Sequence, residues 1–199
     1  PGQPIPAFLG ATYLGTYKTP AEIDADGVVG SVLGGPRYID ENGDGAINEL
    51  DFNVVGNPNP DFYGGIRNTI TYKDLTLDFF FNGSVGLELM NSAYHLSYFG
   101  RDARSNLLPI VRDRWTTSNQ TSDIPRAGSS FGNYQQRSTV SYQDGSFVRL
   151  KNVTLTYNVD IPGTKSANIY LSANNLFLIT GWEYGDPEVS NYGSGLNQG

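Results

Sequence analysis

Residues 62–85 read FYGGIRNTITYKDLTLDFFFNGSV, two runs of β-branched and aromatic residues on either side of Lys73 and Asp74. One face of its second half is apolar, formed by Leu75, Leu77, Phe79 and Phe81. The opposite face is mixed, formed by Thr76, Asp78, Phe80 and Asn82. Alternation with a period of two predicts β-strands. Because only Lys73 and Asp74 separate the halves, Phe62–Tyr72 and Leu75–Val85 are predicted to form a tight hairpin.

Three further segments are rich in β-branched and aromatic residues between turn formers, namely Phe8–Tyr17, Phe147–Val159 and Asn168–Thr180. The last of them alternates clearly, with Ile169, Leu171, Ala173, Phe177 and Ile179 on one face. The segment before it is less regular, because Arg149 and Lys151 fall on the face of Val153. The sequence thus predicts an all-β chain of about five strands. Strands with one apolar face fit a solvated sheet and a barrel wall equally well.

The connections between these strands are very unequal in length. Lys73–Asp74 and Asp160–Ala167, the latter with Pro162 and Gly163, are short. Lys18–Asp61 and Gly86–Ser146 far exceed the ~15 residues beyond which loops are uncommon in compact domains. Short turns on one side and long loops on the other are typical of outer-membrane barrels. Asn106–Thr116 is the helix candidate of the second loop, with Pro109 in the first turn.

The composition excludes several functional classes. Lys and Arg number 13 against 20 Asp and Glu, a net charge of −7, which argues against a surface for DNA or RNA. Aromatic residues make up 13% of the chain, which argues against disorder. The absence of cysteine removes disulfides, thiolate catalysis and Cys-ligated metals.

The two ends of the chain predict that residues 1–199 are a segment of a longer protein. The chain starts without Met and shows no charged, then apolar, signal-peptide pattern, and it closes with a loop-like GSGLNQG. Its apolar runs are far shorter than the ~20 residues of a membrane helix. Transmembrane β-strands need only ~9–11 residues each, so a barrel stays open as a fold.

Residues 40–51 read DENGDGAINELD and match the pattern of a calcium loop, D-x-N-x-D-G with an acid at the twelfth position. The predicted ligands are Asp40, Asn42, Asp44, the Ala46 carbonyl, Asn48 and Asp51. Ca²⁺ takes six to eight oxygen ligands, and the glycine at position six permits the sharp turn. Asp51 replaces the usual Glu and has a shorter reach. No EF-hand helices are predicted around the loop, so we expect a structural Ca²⁺ site; a bare Asp/Asn/Gly turn is the alternative.

Catalytic signatures are weak. His95 is the one histidine, and no G-x-S-x-G motif supports a Ser-His-Asp arrangement. The spacing of the acids singles out no pair for glycoside hydrolysis. Four aromatic residues in the second long loop are candidates for stacking on a sugar or peptide, with loop packing as the alternative: Tyr94, Tyr98, Phe99 and Trp115. The sequence therefore does not indicate an enzyme.

Five blocks of sequence, in order, carry a family likeness. They are GPRYID with NGDGAIN and VGNPNPDFYGG (35–65), YKDLTL with FFFNGS (72–84), RWT with IPRA (114–127), DGSFVRLKNVTL (144–155), and YLSANNLF with GDPEV (170–189). Together they resemble the C-terminal third of SusC/RagA-type TonB-dependent outer-membrane transporters.

The resemblance implies an antiparallel transmembrane β-barrel of 22 strands with long extracellular loops, of which residues 1–199 form a C-terminal part. It places the protein in the cell outer membrane, in contact with lipid, and implies uptake of a glycan, oligosaccharide or peptide. The partners that it implies are a SusD-like lipoprotein lid and TonB. The plug domain, the TonB-interacting segment and the last strand are expected outside this chain.

A second function stays open at this point. A secreted, soluble β-rich module with a calcium-dependent carbohydrate site, dockerin-like or lectin-like, is also compatible with the strands and the 40–51 loop. The outward face of the strands discriminates between the two. A barrel needs an apolar band about 25 Å tall with aromatic girdles, whereas a soluble module needs its apolar face covered by a second sheet.

Overall fold

The computed structural model describes residues 7–99, 106–128, 137–164, 166–183 and 185–188. In these ranges the strands are β1 (Phe8–Gly10), β2 (Tyr13–Thr16), β3 (Pro36–Tyr38), β4 (Asn53–Gly56), β5 (Phe62–Tyr72), β6 (Leu75–Val85), β7 (Glu88–Met90), β8 (Tyr142–Asp144), β9 (Phe147–Val159) and β10 (Ala167–Thr180). The helices are α1 (Pro20–Asp26) and α2 (Ser92–Phe99). Short 3₁₀ turns lie at Glu49–Asp51, Pro109–Asp113 and Thr139–Ser141. Among the residues described, no helix is long and apolar enough to cross a membrane.

The chain divides into two compact units. The sheet unit comprises residues 59–87 and 144–188, and it holds the four long strands. The loop unit comprises the described residues 7–58, 88–99, 106–128 and 137–143. Most of the two long connections predicted from the sequence, Lys18–Asp61 and Gly86–Ser146, therefore belongs to a compact unit of its own.

The four long strands form one antiparallel sheet in the order β10-β9-β6-β5. The predicted hairpin is confirmed, since β5 and β6 have the predicted bounds and Tyr72 pairs with Leu75. Lys73 makes the tight turn with a left-handed backbone, at φ 54°. β9 also has its predicted bounds, and β10 begins at Ala167, one residue before the prediction.

The register places the apolar side chains of all four strands on one face. Across the sheet, Ile70 pairs with Leu77, Leu77 with Leu155, and Leu155 with Leu171. Leu171 is 73% exposed, Ile70 53% and Leu155 38%, while Leu77 is partly buried. This face thus presents an uncovered apolar surface within the sheet unit.

A β-bulge explains why β9 alternates irregularly in the sequence. Phe80 on β6 pairs with Asn152, but the next residue, Phe81, pairs with Leu150, so Lys151 is the extra residue. A bulge moves the side chains on its two sides onto different faces of the sheet. Arg149 therefore pairs with Asn82 on the polar face. The prediction that Arg149 shares the face of Val153 is wrong for this reason.

The first predicted strand, Phe8–Tyr17, differs from the observed structure. It splits at Ala11 into β1, which pairs with β4, and β2, which pairs with β3. Ala11 is fully buried, and its N–H donates to the Arg137 carbonyl at 2.8 Å, which takes the chain out of extended pairing. The large sheet therefore contains four of the five predicted strands in the described part of the chain.

The loop unit is built from short paired strands, two helices and an aromatic core. Tyr98, Phe99 and Ile124 form the buried cluster, with Tyr13 and Tyr94 among the rings packed against it.

Proline opens the predicted helix at Asn106–Thr116 as expected, but the helical part is only the 3₁₀ turn Pro109–Asp113.

Candidate functional site

The acidic loop 40–51 connects β3 to β4 and is closed by its own backbone. The Asp40 carboxylate accepts the N–H groups of Gly43 at 2.7 Å and of Gly45 at 2.8 Å. Hydrogen bonds from backbone N–H groups, with Gly45 as the largest contributor, lower the pKa of Asp40 below its ordinary value. Gly43 and Gly45 have φ of 71° and 78°, a conformation that favours glycine. The DENGDG stretch thus folds as a tight turn around an ionised Asp40.

The other predicted ligands lie in the same turn. The side-chain oxygens of Asn42 and Asp44 each accept a backbone N–H two residues ahead, both at 2.9 Å. Asn48 donates its side-chain amide to the Ala46 carbonyl at 3.1 Å. Asp51 is buried, and its two oxygens accept the N–H groups of Glu41 and Asn48 at 3.0 and 2.7 Å.

All six predicted ligands lie in the 40–51 loop, and their oxygens accept hydrogen bonds that close the loop. Within the described part of the chain, no group of three or more His, Cys, Asp or Glu side chains is placed to hold a metal ion. A carboxylate offers about four acceptor positions, so hydrogen bonds to the backbone do not use up its capacity. Calcium binding by this loop remains a prediction.

Helix α1 supports the acidic loop from one side. It begins with a capping box between Thr19 and Glu22, with Pro20 in the first turn. Asp26 in its last turn accepts two hydrogen bonds from Arg37, at 2.7 and 3.0 Å. The N–H of Val29, just after the helix, donates to the Gly45 carbonyl at 2.8 Å. An open cavity of about 250 Å³ lies here, and both Asp26 and Asp40 line it.

Replacing Arg37 with methionine is expected to weaken the α1 region in a pH-dependent way. The hydrogen bonds from Arg37 lower the pKa of Asp26, so its contribution to stability is present above the unfolded pKa of about 3.9. That contribution is lost as the pH falls through the lower folded pKa. Hydrogen exchange of residues 20–29 in the full-length protein checks this. In the wild-type protein, residues 20–29 should lose protection against exchange as the pH falls from 7 to about 3. In Arg37→Met, the same residues should lose less protection over this range.

The aromatic residues predicted to contact substrate lie mainly in the core of the loop unit. Phe99, Tyr98 and Trp115 are 3%, 8% and 8% exposed, and Tyr94 is partly buried. The rings of Tyr94 and Tyr98 lie 5.5 Å apart. Burial raises the pKa of Tyr98 to about 12. This burial agrees with loop packing, the alternative to ligand stacking, and contact with substrate stays a prediction.

His95 is also a packing residue. Its ring lies 5.2 Å from that of Phe99, and its Nδ1 is 2.9 Å from the Ser141 hydroxyl. His95 is 2% exposed and Ser141 is fully buried. The Ser–His pair therefore does not meet solvent, where a substrate would have to reach it.

The polar face of the sheet carries a row of hydrogen bonds between neighbouring strands. Arg67 on β5 pairs with Asp78 on β6, with an Nε–Oδ2 distance of 3.0 Å. Farther along the sheet, Asn152 donates to Asn174 at 3.0 Å. This face of the sheet is therefore polar and hydrogen-bonded, whereas the other face is apolar and uncovered.

The sequence did not predict a cluster of four charged side chains and one amide on this polar face. We call it the Arg149 cluster, and it consists of Asn82, Arg149, Lys151, Asp186 and Glu188. Arg149 is 6% exposed; it forms an ion pair with Asp186, and its Nε lies 3.4 Å from Glu188. Glu188 also pairs with Lys151 and accepts the Asn82 amide at 3.0 Å. The bulge at Lys151 directs both cations to this face. The cluster thus holds residues 185–188, the turn after β10, against the sheet.

Comparisons with known proteins show what this chain is similar to. No protein-family model matches the chain. The chain is 41% identical over 198 residues to TonB-dependent receptor P26 of Formosa agariphila, covering 96% of this chain and 20% of that protein. TonB-dependent receptor P3 of the same organism is 33% identical, over 99% of this chain and 20% of its own length. The chain spans about one fifth of the length of these curated relatives.

Solved structures share the fold. The RagAB peptide transporter superposes with a TM-score of 0.71 at 24% identity, over 91% of this chain and 20% of that chain. The RagAB peptide importer in its closed-closed state gives 0.69 at 25%, over the same share of each chain. This chain thus shares the fold of one part of these solved chains. Nearly all of this chain is thus homologous to curated TonB-dependent receptors, as its sequence blocks predicted.

Proposed function

We propose that this chain forms part of the wall of a TonB-dependent transporter that imports a nutrient across the outer membrane. The observation that carries the proposal is the four-stranded sheet with one bare apolar face and one hydrogen-bonded polar face. The apolar face would contact lipid, and the polar face would line the barrel. Its relatives are named as receptors and its structural neighbours as transporters, which supports transport and leaves the soluble carbohydrate-binding module without support.

The wall would work with partners outside this chain. TonB would act through another part of the protein, and a SusD-like lipoprotein would cover the external loops. The RagAB neighbours are named as peptide importers, which supports a peptide cargo alongside the glycan and oligosaccharide classes implied by the sequence blocks. The loop unit, which contains both long connections, would be the part of this chain nearest to lid and cargo.

Two measurements on the full-length protein test this function. Cell fractionation should place it in the outer membrane and release it only with detergent. Uptake of a labelled peptide or oligosaccharide mixture should stop when the full-length protein or TonB is deleted. Recovery as a soluble protein, or uptake independent of TonB, would contradict the proposal.

We also propose that residues 40–51 bind a structural Ca²⁺ that stiffens the loop unit. Calcium should then slow proteolysis within residues 28–52 of the full-length protein, and chelator should reverse the effect. Asp44→Asn should weaken this protection, because it removes a ligand charge. Glu49→Gln is the matched control, since Glu49 is exposed and lies outside the ligand pattern. Proteolysis of the wild-type loop that is indifferent to calcium would contradict the proposal.

A further inference from the structure

The dipeptide Asn-Gly occurs twice in the chain, at Asn42–Gly43 and at Asn82–Gly83. In such a dipeptide the backbone nitrogen of the glycine can attack the side-chain carbonyl carbon of the asparagine, because no Cβ hinders its approach. A C–N bond forms, the side-chain nitrogen leaves as ammonia with the proton of the backbone N–H, and a cyclic succinimide remains. Water then opens the ring at either carbonyl, which yields aspartate or isoaspartate.

The dipeptide at Asn82–Gly83 is held by the sheet. Both residues lie within β6, and Gly83 pairs with Gly64 on one side and with Val148 on the other. A side chain in an extended strand stands away from the backbone nitrogen of the next residue, because successive side chains point to opposite faces. Cyclisation at Asn82 therefore requires that the strand leave the sheet.

The dipeptide at Asn42–Gly43 lies in the acidic turn, and both of its residues are exposed. Gly43 has a φ of 71°, and nothing lies within 4 Å of the position that a Cβ would take, so the chain has room to move there. The Asn42 side-chain oxygen accepts the Asp44 N–H at 2.9 Å. This hydrogen bond polarises the carbonyl group and would stabilise the oxyanion formed during attack. The turn thus presents an accessible, activated carbonyl beside a glycine nitrogen.

The attacking nitrogen is restrained by Asp40. The Gly43 N–H donates to one oxygen of the Asp40 carboxylate at 2.7 Å. The nitrogen attacks as it loses its proton, and a neighbouring negative charge opposes that loss. Hydrogen bonds from the backbone lower the pKa of Asp40, so its carboxylate is a weak base for removing the proton. Attack therefore requires that the hydrogen bond between Gly43 and Asp40 open first.

We propose that Asn42 is a site of spontaneous deamidation, and that the hydrogen bond from Gly43 to Asp40 limits the rate. Isoaspartate at this position would lengthen the main chain by one methylene group and remove the side-chain carbonyl that accepts the Asp44 N–H. Aspartate would keep the geometry and add a negative charge to the turn. The inference does not depend on transport or on calcium, because the reaction needs only these residues and water.

Incubation of the full-length protein at mildly alkaline pH, with chelator present, tests the proposal. Peptide mapping by mass spectrometry should show conversion of Asn42 with isoaspartate among the products, while Asn82 stays unmodified. Gly43→Ala should lose this conversion, because the added methyl group obstructs the attacking nitrogen. Gly45→Ala is the matched control, since Gly45 has a similar φ of 78° and lies outside the reacting dipeptide. It should convert at least as fast as wild type.

Asp40→Ala tests the restraint on the nitrogen. It should convert Asn42 about tenfold faster than wild type, because a hydrogen bond to a charged group no longer has to open. If Asp40→Ala does not fold, Asp40→Asn replaces it, since a neutral side chain holds the N–H less strongly. Equal or slower conversion in this variant would overturn the restraining role of Asp40.

Three results would overturn the modification site itself. The first is an unmodified Asn42 in the wild-type protein, and the second is equal conversion in wild type and Gly43→Ala. The third is aspartate without isoaspartate, because direct hydrolysis of the amide by water gives aspartate alone.

Discussion

Gly34→Ala is expected to destabilise the loop unit by about 2–4 kcal/mol, combining a left-handed backbone penalty with overpacking. Gly34 has a φ of 73°, and a Cβ there would lie 2.4 Å from the Trp115 ring. The backbone cannot retreat easily, because its N–H donates to Tyr17 and its carbonyl accepts from Arg126, both at 2.8 Å. Three separate segments would have to move together.

Proteolysis of the loop unit in the full-length protein measures this effect. Gly30→Ala is the matched control, because Gly30 has a φ of 83° but nothing lies within 4 Å of the added Cβ. Gly30→Ala measures the backbone penalty alone. Any further loss of stability in Gly34→Ala comes from the clash with Trp115. Equal susceptibility of the two variants would show that the Trp115 contact does not restrict residue 34.

Arg149→Met is expected to release the turn after β10 and to reduce stability by about 2–3 kcal/mol. Breaking a buried ion pair typically costs 3–5 kcal/mol, and the smaller figure reflects the Asp186 side chain, which is 49% exposed. Asp186 would lose its ion pair with Arg149, and Glu188 would keep its ion pair with Lys151. Pro187, which is fully buried, would become exposed to solvent.

Hydrogen exchange of residues 182–188 in the full-length protein follows this release. Protection of the Glu188 amide, which donates to Asp186 at 2.9 Å, should fall in Arg149→Met. Arg67→Met is the control, since it removes the same charge from the same face at a residue 70% exposed, and exchange at 182–188 should not change. Unchanged protection in Arg149→Met would mean that the contacts of Glu188 with Lys151 and Asn82, together with the buried Pro187, hold the turn without Arg149.

The long strands are predictable from sequence because the residues that specify each strand lie within the strand or in the adjoining turn. In β6 the alternation of Leu75, Leu77, Phe79 and Phe81 continues for the whole strand, and Lys73–Asp74 marks the turn. Phe8–Tyr17 has the same local composition, but contacts of Ala11 with Arg137, far away in the chain, break it. Helix α1 was missed although Thr19 and Glu22 form a readable capping box.

The candidate sites follow the same rule. The acidic loop is predictable because residues 40–51 close on themselves within a single turn. The Arg149 cluster joins residues 37 positions apart, and it exists only because the bulge at Lys151 turns Arg149 to the polar face. A strict period of two puts Arg149 on the opposite face. Non-local pairing and a change of register are the two features that a local pattern does not contain.

Under the proposed function, one face of this sheet meets lipid and the other meets water. The chain has no cysteine, so single cysteines introduced along β5 are unique labels within it. In outer membranes containing the full-length protein, free of other cysteines, Arg67→Cys and Thr69→Cys should react with a water-soluble maleimide. Ile66→Cys and Ile70→Cys should resist it and react with a lipid-soluble reagent. Equal reaction of all four positions with the water-soluble reagent would contradict the account.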